Sequence, residues 1–572
     1  MTMNRQRIIL TTIMVSAALA VTLYWWQRGR PVAMPDAPST RINCVSYAPY
    51  HRPGQTPFAE DTVISPAQIE HDLSRLARRF DCVRTYSVGQ GLNAVPSIAH
   101  RLGMQVLLGI WLGRDRRANA HEIALGIQTA RGNRDTIRAI IVGNEVLLRG
   151  ELPAAELAAD ITQVKTSTGL PVTYADVWEY WLKYPQLANA VSFITIHILP
   201  YWEDHPVAIG NAIAHVQNVY DRLHAAFPGK SILIGETGWP SAGRRRGGAL
   251  PSRVNEARFM RGFLNYAARS GVAYNLVEAY DQPWKRWLEG TAGGYWGLYA
   301  ANGQQKFPFD GPVSEDTDWY MGPLVGVGFA LVLCLSGLAR KVKPRVWYIM
   351  GLLLFGYSGG ALLAAESEHL LTASRDGFEW LMGSSWALLE LITLWLFAHT
   401  VSRYLQTPEV SYPERIYRFR LLDRIGLRQT INPRELLWFL WLFAAAVVCL
   451  LLVFDPRYRG FPIALFLPAA IGFATWALLY PGAMRKISLE NHILAAWLGF
   501  AAILILGIES TANTQALAWA ALCVLLCGSV WFPYLRSRQQ KHTDYQPDRA
   551  GFKTIPDQTG HTDDRTQPRD PA

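Results

Sequence analysis

Residues 231–243 read SILIGETGWPSAG. A short run from Ile232 to Gly235 carries no polar side chain, then meets a carboxylate, Glu236, and a Gly-Trp-Pro turn. A run this short with no polar face is the pattern of a strand buried on both sides. A carboxylate ending such a strand is costly unless it is partnered or faces an opening. Seven similar runs lie elsewhere: INCVSY (42–47), DCVRTY (81–86), MQVLLGI (104–110), AIIVGNEV (139–146), PVTYADV (171–177), SFITIHI (192–198) and YNLVEAY (274–280). Helical patterns separate most of them, such as PAQIEHDLSRLARRF (66–80), AAELAADITQVKTSTG (154–169) and VNEARFMRGFLNYAARSG (254–271). Eight strand–helix units in one stretch of chain predict an α/β fold, the (β/α)8 barrel. An open doubly wound sheet is the alternative, but no Gly-rich phosphate loop follows the first strand.

In a barrel of this kind the functional residues sit at the C-terminal ends of strands. Those ends are Ser46-Tyr47, Arg84 to Tyr86, Asn144-Glu145, Asp176, His197, Glu236 and Glu278. Glu145 and Glu236 end strands four and seven. Glycosidic bond cleavage needs a protonated carboxyl at the leaving oxygen and an ionised one at the anomeric carbon or its water. Strand ends across a barrel mouth can hold two carboxyls about 5–5.5 Å apart, the retaining geometry.

ILIGETGWPSAG resembles the nucleophile signature of glycoside hydrolase family 17, the β-1,3-glucanases and glucanosyltransferases. VGNEV (142–146) resembles that family's acid/base segment, and VRTYS (83–87) and EAYDQPWK (278–285) are similar to its bacterial members. The resemblance spans about residues 42–300. It implies Glu145 as acid/base, Asn144 as the residue that bonds the sugar 2-hydroxyl, Glu236 as nucleophile, and Glu278 and Lys285 as polar residues lining the cleft. It also implies a retaining mechanism through a covalent glucosyl-enzyme, resolved by water or by another sugar. Tyr47, Arg84, Tyr86, His197, Tyr201 and Trp239 join the expected substrate contacts from their places near strand ends. For His197, an inward histidine held by hydrogen bonds is an equal reading. Trp178, Trp181, Trp202, Trp239, Trp284, Trp287 and Trp296 also lie near strand ends, where some line subsites and others pack.

Weaker signals carry less. His121-Glu122 lacks the second histidine of a zinc helix, since position 125 is Leu. Asp316-Thr317-Asp318 is a charge cluster on a linker. No metal or cofactor set is read from the sequence.

The chain has 572 residues and a formal charge of +10. Four parts are expected: an N-terminal anchor (1–29), the barrel (30–318), a bundle of about seven transmembrane helices (319–535) and a disordered cytoplasmic tail (536–572). The anchor is the apolar run from Ile8 to Trp26; the bundle's runs are near 321–339, 346–365, 380–401, 435–454, 461–480, 492–509 and 514–534. Each is close to the ~20 residues a span requires. With the N-terminus inside, LARKVKPR (338–345), the Arg-rich loop from Arg403 to Arg428, MRKISLEN (484–491) and LRSRQQKH (535–542) fall inside. ESEHLLTASRDGF (366–378), DPRYRG (455–460) and ESTANTQ (509–515) fall outside with the barrel. The positive-inside rule accounts for the basic excess, DPRYRG excepted, and argues against a nucleic-acid partner. Of the six cysteines, Cys44 and Cys82 lie in the barrel, as a disulfide or as two buried thiols. Glu390, in mid-span, is a functional candidate or a packed carboxylate.

The bundle resembles bacterial membrane proteins linked to cyclic or branched β-glucan synthesis. The expected localisation is a bacterial inner membrane with the barrel in the periplasm. The expected partners are a β-glucan, the lipid bilayer and a membrane glucan synthase. The leading function is glucosyl transfer between β-1,3-glucan chains. A plain exo- or endo-glucanase, and a non-catalytic glucan-binding or export module, are the competitors.

Overall fold

The computed structural model describes residues 3–59, 61–338, 346–406, 433–455, 457–479 and 488–543. Eight parallel strands form one sheet in sequential order: β1 Ile42–Ser46, β2 Phe80–Arg84, β3 Gln105–Ile110, β4 Ile137–Asn144, β5 Val172–Val177, β6 Ile194–His197, β7 Ile232–Glu236 and β8 Ala273–Tyr274. The sheet closes on itself. Leu276 N–H donates to Cys44 O, and Ser46 N–H donates to Leu276 O, each at 2.9 Å. The last strand is shorter than the run 274–280 suggests: beyond Tyr274 the chain continues the ladder only as single bridges, Leu276 to Val45 and Tyr280 to Tyr299.

The period of two sorts the side chains. Val45, Val83, Val106, Leu108, Ile140, Val142, Ile194, Ile196, Ile232 and Ile234 point outward into the main core beneath the helices. Cys44, Cys82, Leu107, Ala139, Ile141, Ala175 and Leu233 form a separate apolar plug inside the barrel. Cys44 and Cys82, paired in register between β1 and β2, are joined as a disulfide within that plug.

Among the described residues, seven helices are long and apolar enough to cross a membrane: Arg7–Gly29, Met321–Leu338, Val346–Ala373, Gly377–Gln406, Arg434–Phe454, Leu489–Glu509 and Thr514–Leu535. The eighth expected span coincides with a shorter apolar helix, Ile463–Leu479, of 17 residues. The N-terminal helix packs against the bundle: Trp25 Nε1 donates to Ala361 O at 3.2 Å, and a Cβ at Gly322 would overlap the Trp25 ring. The last helix continues to Thr543, so the start of the expected disordered tail is helical. Its Arg, Gln and Lys residues are good helix formers. The inside loops LARKVKPR and MRKISLEN, the Arg-rich loop beyond Gln406, and the tail beyond Thr543 lie wholly or largely outside the described residues.

The barrel touches the three loops expected on the outer side. Arg244, after β7, donates to Ala373 O at 2.9 Å and Tyr458 O at 2.6 Å, and pairs with Glu379 at 2.6 Å. Arg286, after β8, donates to Ser374 O at 2.6 Å. Arg245 donates to Ala512 O, also at 2.6 Å. The basic residues of DPRYRG, the exception to the charge rule, are used here. Arg457 pairs with Asp204 of the barrel at 2.9 Å, and Arg459 is buried against Glu509 at 2.8 Å.

Candidate active site

The mouth of the barrel assembles around Glu236. A register shift between Ile196 and His197 accompanies the pairing of His197 with Glu236. The shift breaks simple alternation, so that Glu236, three residues past the inward Leu233 plug layer and next to Gly235, still turns into the mouth. Gly235 is required: a Cβ there would lie 2.4 Å from the Thr195 methyl. Glu145 follows β4 after a second register irregularity, between Ile141 and Asn144. Its own φ is +53°, and Gly143 before it has φ +83°. A left-handed non-glycine residue is uncommon and is kept where surrounding structure enforces it. Here Glu145 N–H donates to Ala175 O at 2.8 Å.

One carboxylate oxygen from each of Glu145 and Glu236 and one ring nitrogen of His197 lie within 4.8 Å of one another. His197 is buried between the two acids, with Nδ1 2.8 Å from Glu145 Oε1 and Nε2 3.6 Å from Glu236 Oε1. Arg84 is buried beneath them. Its Nη1 donates to Glu236 Oε1 and its Nη2 to Asn144 Oδ1, both at 2.5 Å. Tyr86 stacks on the Arg84 guanidinium at 4.0 Å and donates its hydroxyl to Glu236 Oε1 at 2.9 Å. Lys285 Nζ donates to Glu278 Oε2 at 2.9 Å beside this group.

The electrostatics separate the acids. Burial alone would raise the Glu236 carboxyl, but His197, Arg84 and Lys285 outweigh it and hold Glu236 well below the usual carboxylate range. Burial opposes charge on His197, yet Glu236 and Glu145 lift its pKa above the ordinary value. Burial pushes Glu278 up to about 7 against the pull of Lys285. Glu145, unlike Glu236, is partly open to solvent, its side chain 23% exposed against 9%. The pair therefore offers one buried, ionised carboxylate and one more accessible carboxyl, with oxygens within 4.8 Å of each other. The same three residues have metal-ligand spacing, but the Arg84 guanidinium already occupies Glu236 Oε1, and a permanent cation there opposes a second one.

Three expected contacts are corrected. Tyr47 points away from the mouth, because Cys44 and Ser46 take the inward positions of β1. Its hydroxyl donates to Asp72 at 2.9 Å under the helix Pro66–Leu76. Tyr201 is buried with its hydroxyl on Arg244 O, and Trp239 is buried with Nε1 on Leu250 O. Both pack inside the wall of the cleft. Of the other tryptophans, Trp181 and Trp296 are buried, Trp178, Trp202 and Trp284 are half-buried, and Trp287 is exposed.

Asp176 also faces away from the mouth. It accepts from Tyr174 and from Leu148 N–H, while the Tyr174 hydroxyl accepts from Leu147 N–H at 2.9 Å. It therefore braces the turn that carries Glu145. Glu122 is structural too: it receives Ser87 Oγ at 2.7 Å and Val88 N–H at 2.8 Å. Glu390 is fully buried in the bundle with both carboxyl oxygens unpartnered.

An eightfold parallel barrel with two carboxyls converging at its mouth defines a glycosidase or transglycosylase. Residues 44–297 match the family model described as the BtgE/BtgC glycoside hydrolase domain. The chain is 29% identical over 278 residues to a glucan 1,3-beta-glucosidase of Arthroderma benhamiae, covering 44% of this chain and 87% of that one. It is 27% identical over 265 residues to the glucan 1,3-beta-glucosidase of Candida albicans, covering 42% and 85%. A glycoside hydrolase family 17 beta-1,3-glucanosyltransferase from Rhizomucor miehei shares 25% identity, with 47% of this chain and 97% of that chain covered and a TM-score of 0.41.

Proposed function

We propose that this protein is a membrane-held, retaining β-1,3-glucan glucanosyltransferase of the bacterial periplasm. In this reading it moves glucosyl units from one glucan chain to another and so makes branched or cyclic β-(1,3;1,6)-glucan. The observation that carries the chemistry is the approach of Glu145 and Glu236 oxygens to within 4.8 Å, with Arg84 and Tyr86 both on Glu236. The glucan 1,3-beta-glucosidases that resemble the barrel support the substrate class.

Glu236, ionised, attacks the anomeric carbon while Glu145 gives its proton to the departing glycosidic oxygen. The glucosyl unit is then esterified to Glu236, and the shortened chain leaves as an alcohol. Glu145, now a carboxylate, takes the proton of an incoming sugar hydroxyl, whose oxygen displaces Glu236 and restores the β-configuration. Arg84 and Tyr86 keep the nucleophile charged and oriented; Asn144, fixed by Arg84, is placed to meet the 2-hydroxyl. His197 holds Glu145 by one nitrogen and faces Glu236 with the other.

The multi-span anchor favours transfer over scavenging, since it keeps the enzyme where glucan is made by a membrane synthase. Outside the cytoplasm nucleotide sugars are absent, so the donor is an existing glucan. The test is incubation of the full-length protein with β-1,3-gluco-oligosaccharides followed by mass and linkage analysis. Products longer than the donor, with 1,6 linkages, are expected. Only shorter sugars at high substrate would make it a hydrolase. Full cellular function in a Glu236→Gln variant would remove catalysis from the account and leave a binding or export module.

A further inference from the structure

The bundle meets the barrel on one side of its mouth. The loops after β6, β7 and β8, through Asp204, Arg244 and Arg286, all rest on membrane-helix connections. Away from those loops the mouth's rim is free: Leu148 after β4 and Trp111 after β3 are exposed. A glucan laid across the catalytic pair therefore leaves into solvent on one side and meets the bundle on the other.

The residue it meets is defined. Tyr458 lies in the connection between the helices Pro433–Phe454 and Ile463–Leu479. Its carbonyl is held by Arg244, and the neighbouring Arg457 is tied to Asp204. Its ring lies against Gly290, where a Cβ would come within 2.7 Å of Cδ1. It stands edge-on to Trp202 at 5.8 Å, and Trp202 stacks on the buried Trp296 at 5.9 Å. Tyr458 and Trp202 are both partly exposed. Glu289, beside Gly290, donates its N–H to Lys285 O at 2.8 Å, and Lys285 Nζ is bonded to Glu278 at 2.9 Å. Trp202 follows β6, which ends at His197. Tyr458 therefore rests on two of the loops that rim the mouth, and is the bundle's contribution to that rim.

We propose that Tyr458, a residue of the membrane bundle, is part of the glucan-binding cleft, where it contacts a glucosyl unit of the bound chain beyond Glu289. An aromatic ring on a rim of this kind takes the apolar C–H face of a sugar, and its hydroxyl exchanges hydrogen bonds with sugar hydroxyls. The membrane half then selects substrate as well as anchoring the enzyme. The inference rests on the proposed activity on β-1,3-glucan.

The test uses the full-length protein in detergent or nanodiscs, with kcat and KM measured on β-1,3-gluco-oligosaccharides of increasing length. For the wild type, KM should fall with length until the chain reaches Tyr458. Tyr458→Ala should raise KM by about tenfold for long donors, the usual scale for truncating an aromatic anchor, and the loss should grow with donor length. Tyr458→Phe, which keeps the ring, should recover most of the length dependence. If Tyr458→Ala fails to fold, Tyr458→Leu fills the space over Gly290 without a flat ring and serves the same test. An unchanged KM at every length, or an equal rise at every length, overturns the inference while leaving the glucan activity standing. A wild-type protein inactive on every β-1,3-glucan overturns the proposed function and this inference with it.

Discussion

Replacing Arg84 by Met should move the acid limb of the pH–rate profile upward. In the native site the guanidinium lies 2.5 Å from Glu236 Oε1, 1% exposed, and it shares the buried floor of the mouth with His197 and Lys285. The proposed reaction requires Glu236 ionised, so the acid limb of kcat/KM follows the pKa of that carboxyl in the free enzyme. A unit charge a few ångströms away is worth about 4 kcal/mol at an effective dielectric near 20. One pKa unit is about 1.4 kcal/mol, so the ceiling is roughly three units, and an arginine beside a carboxylate commonly lowers its pKa by about 1–3. The sign follows directly: removing a cation that stabilises the charged form raises the pKa, and the carboxylate is lost at a higher pH than before. The limb should therefore rise by about 1–3 units, while Met retains the bulk and the stacking on Tyr86. The assay is kcat/KM on a β-1,3-gluco-oligosaccharide from acid to neutral pH, with thermal unfolding followed alongside to confirm folding. A folded variant whose acid limb does not move would refute the assignment of Arg84 as the group that keeps Glu236 ionised.

Glu236→Gln and Glu145→Gln should each lower turnover by at least about 100-fold, read by product release, and proton NMR of the first wild-type product should show the β-anomer. Tyr86→Phe removes one hydrogen bond to the nucleophile and should cost about 1.5–3 kcal/mol of transition-state stabilisation, roughly 10- to 100-fold in kcat/KM. Breaking the 38-residue loop closed by Cys44 and Cys82 with a double Ala substitution should destabilise the barrel by about 4 kcal/mol in the loop-entropy picture, read as a lowered Tm of the full chain. Arg244→Glu should weaken the seat of the β7 loop on the bundle, and adding Glu379→Arg should recover part of the lost Tm, since the buried pair is then re-formed with its charges exchanged.

Much of the barrel was legible because its strands are short, apolar and regularly spaced, and because carboxylates at the ends of such strands have few structural uses. Glu145 and Glu236 stand out in the sequence for the same reason, and the structure brings them together at the mouth. The errors concern which way a side chain points. Tyr47 reads as a contact from its place at a strand end, but alternation from Cys44 and Ser46 turns it outward. Glu236 shows the opposite case, since the irregular register at His197 lets it face inward where a regular strand would not show this. Tyr201 and Trp239 lie beyond the strand ends, where no period applies, and loop packing decides their burial. Arg84 stands out only by its place at a strand end; its partnership with both Asn144 and Glu236 depends on distances across the barrel. The spans were legible from hydropathy. The seat of the barrel on them was not, because Arg244, Arg245 and Arg286 dock largely on backbone carbonyls, which carry no sequence signature.

The strand-like bridge between Val32 and Val313 brings the chain's entry to the barrel beside its exit. Just below, Arg28 pairs with Asp316 at 3.9 Å and with Glu368 at 2.8 Å. The helices Met3–Gly29 and Met321–Leu338 are thus neighbours whose connection happens to be a whole enzyme. Seen from the bundle, the barrel is an insertion in a single interhelical turn, held at its neck and seated at its rim. Insertions with adjacent ends are the kind a host tolerates and exchanges. A short linker from Gly29 to Trp319 would therefore leave the bundle's packing continuous.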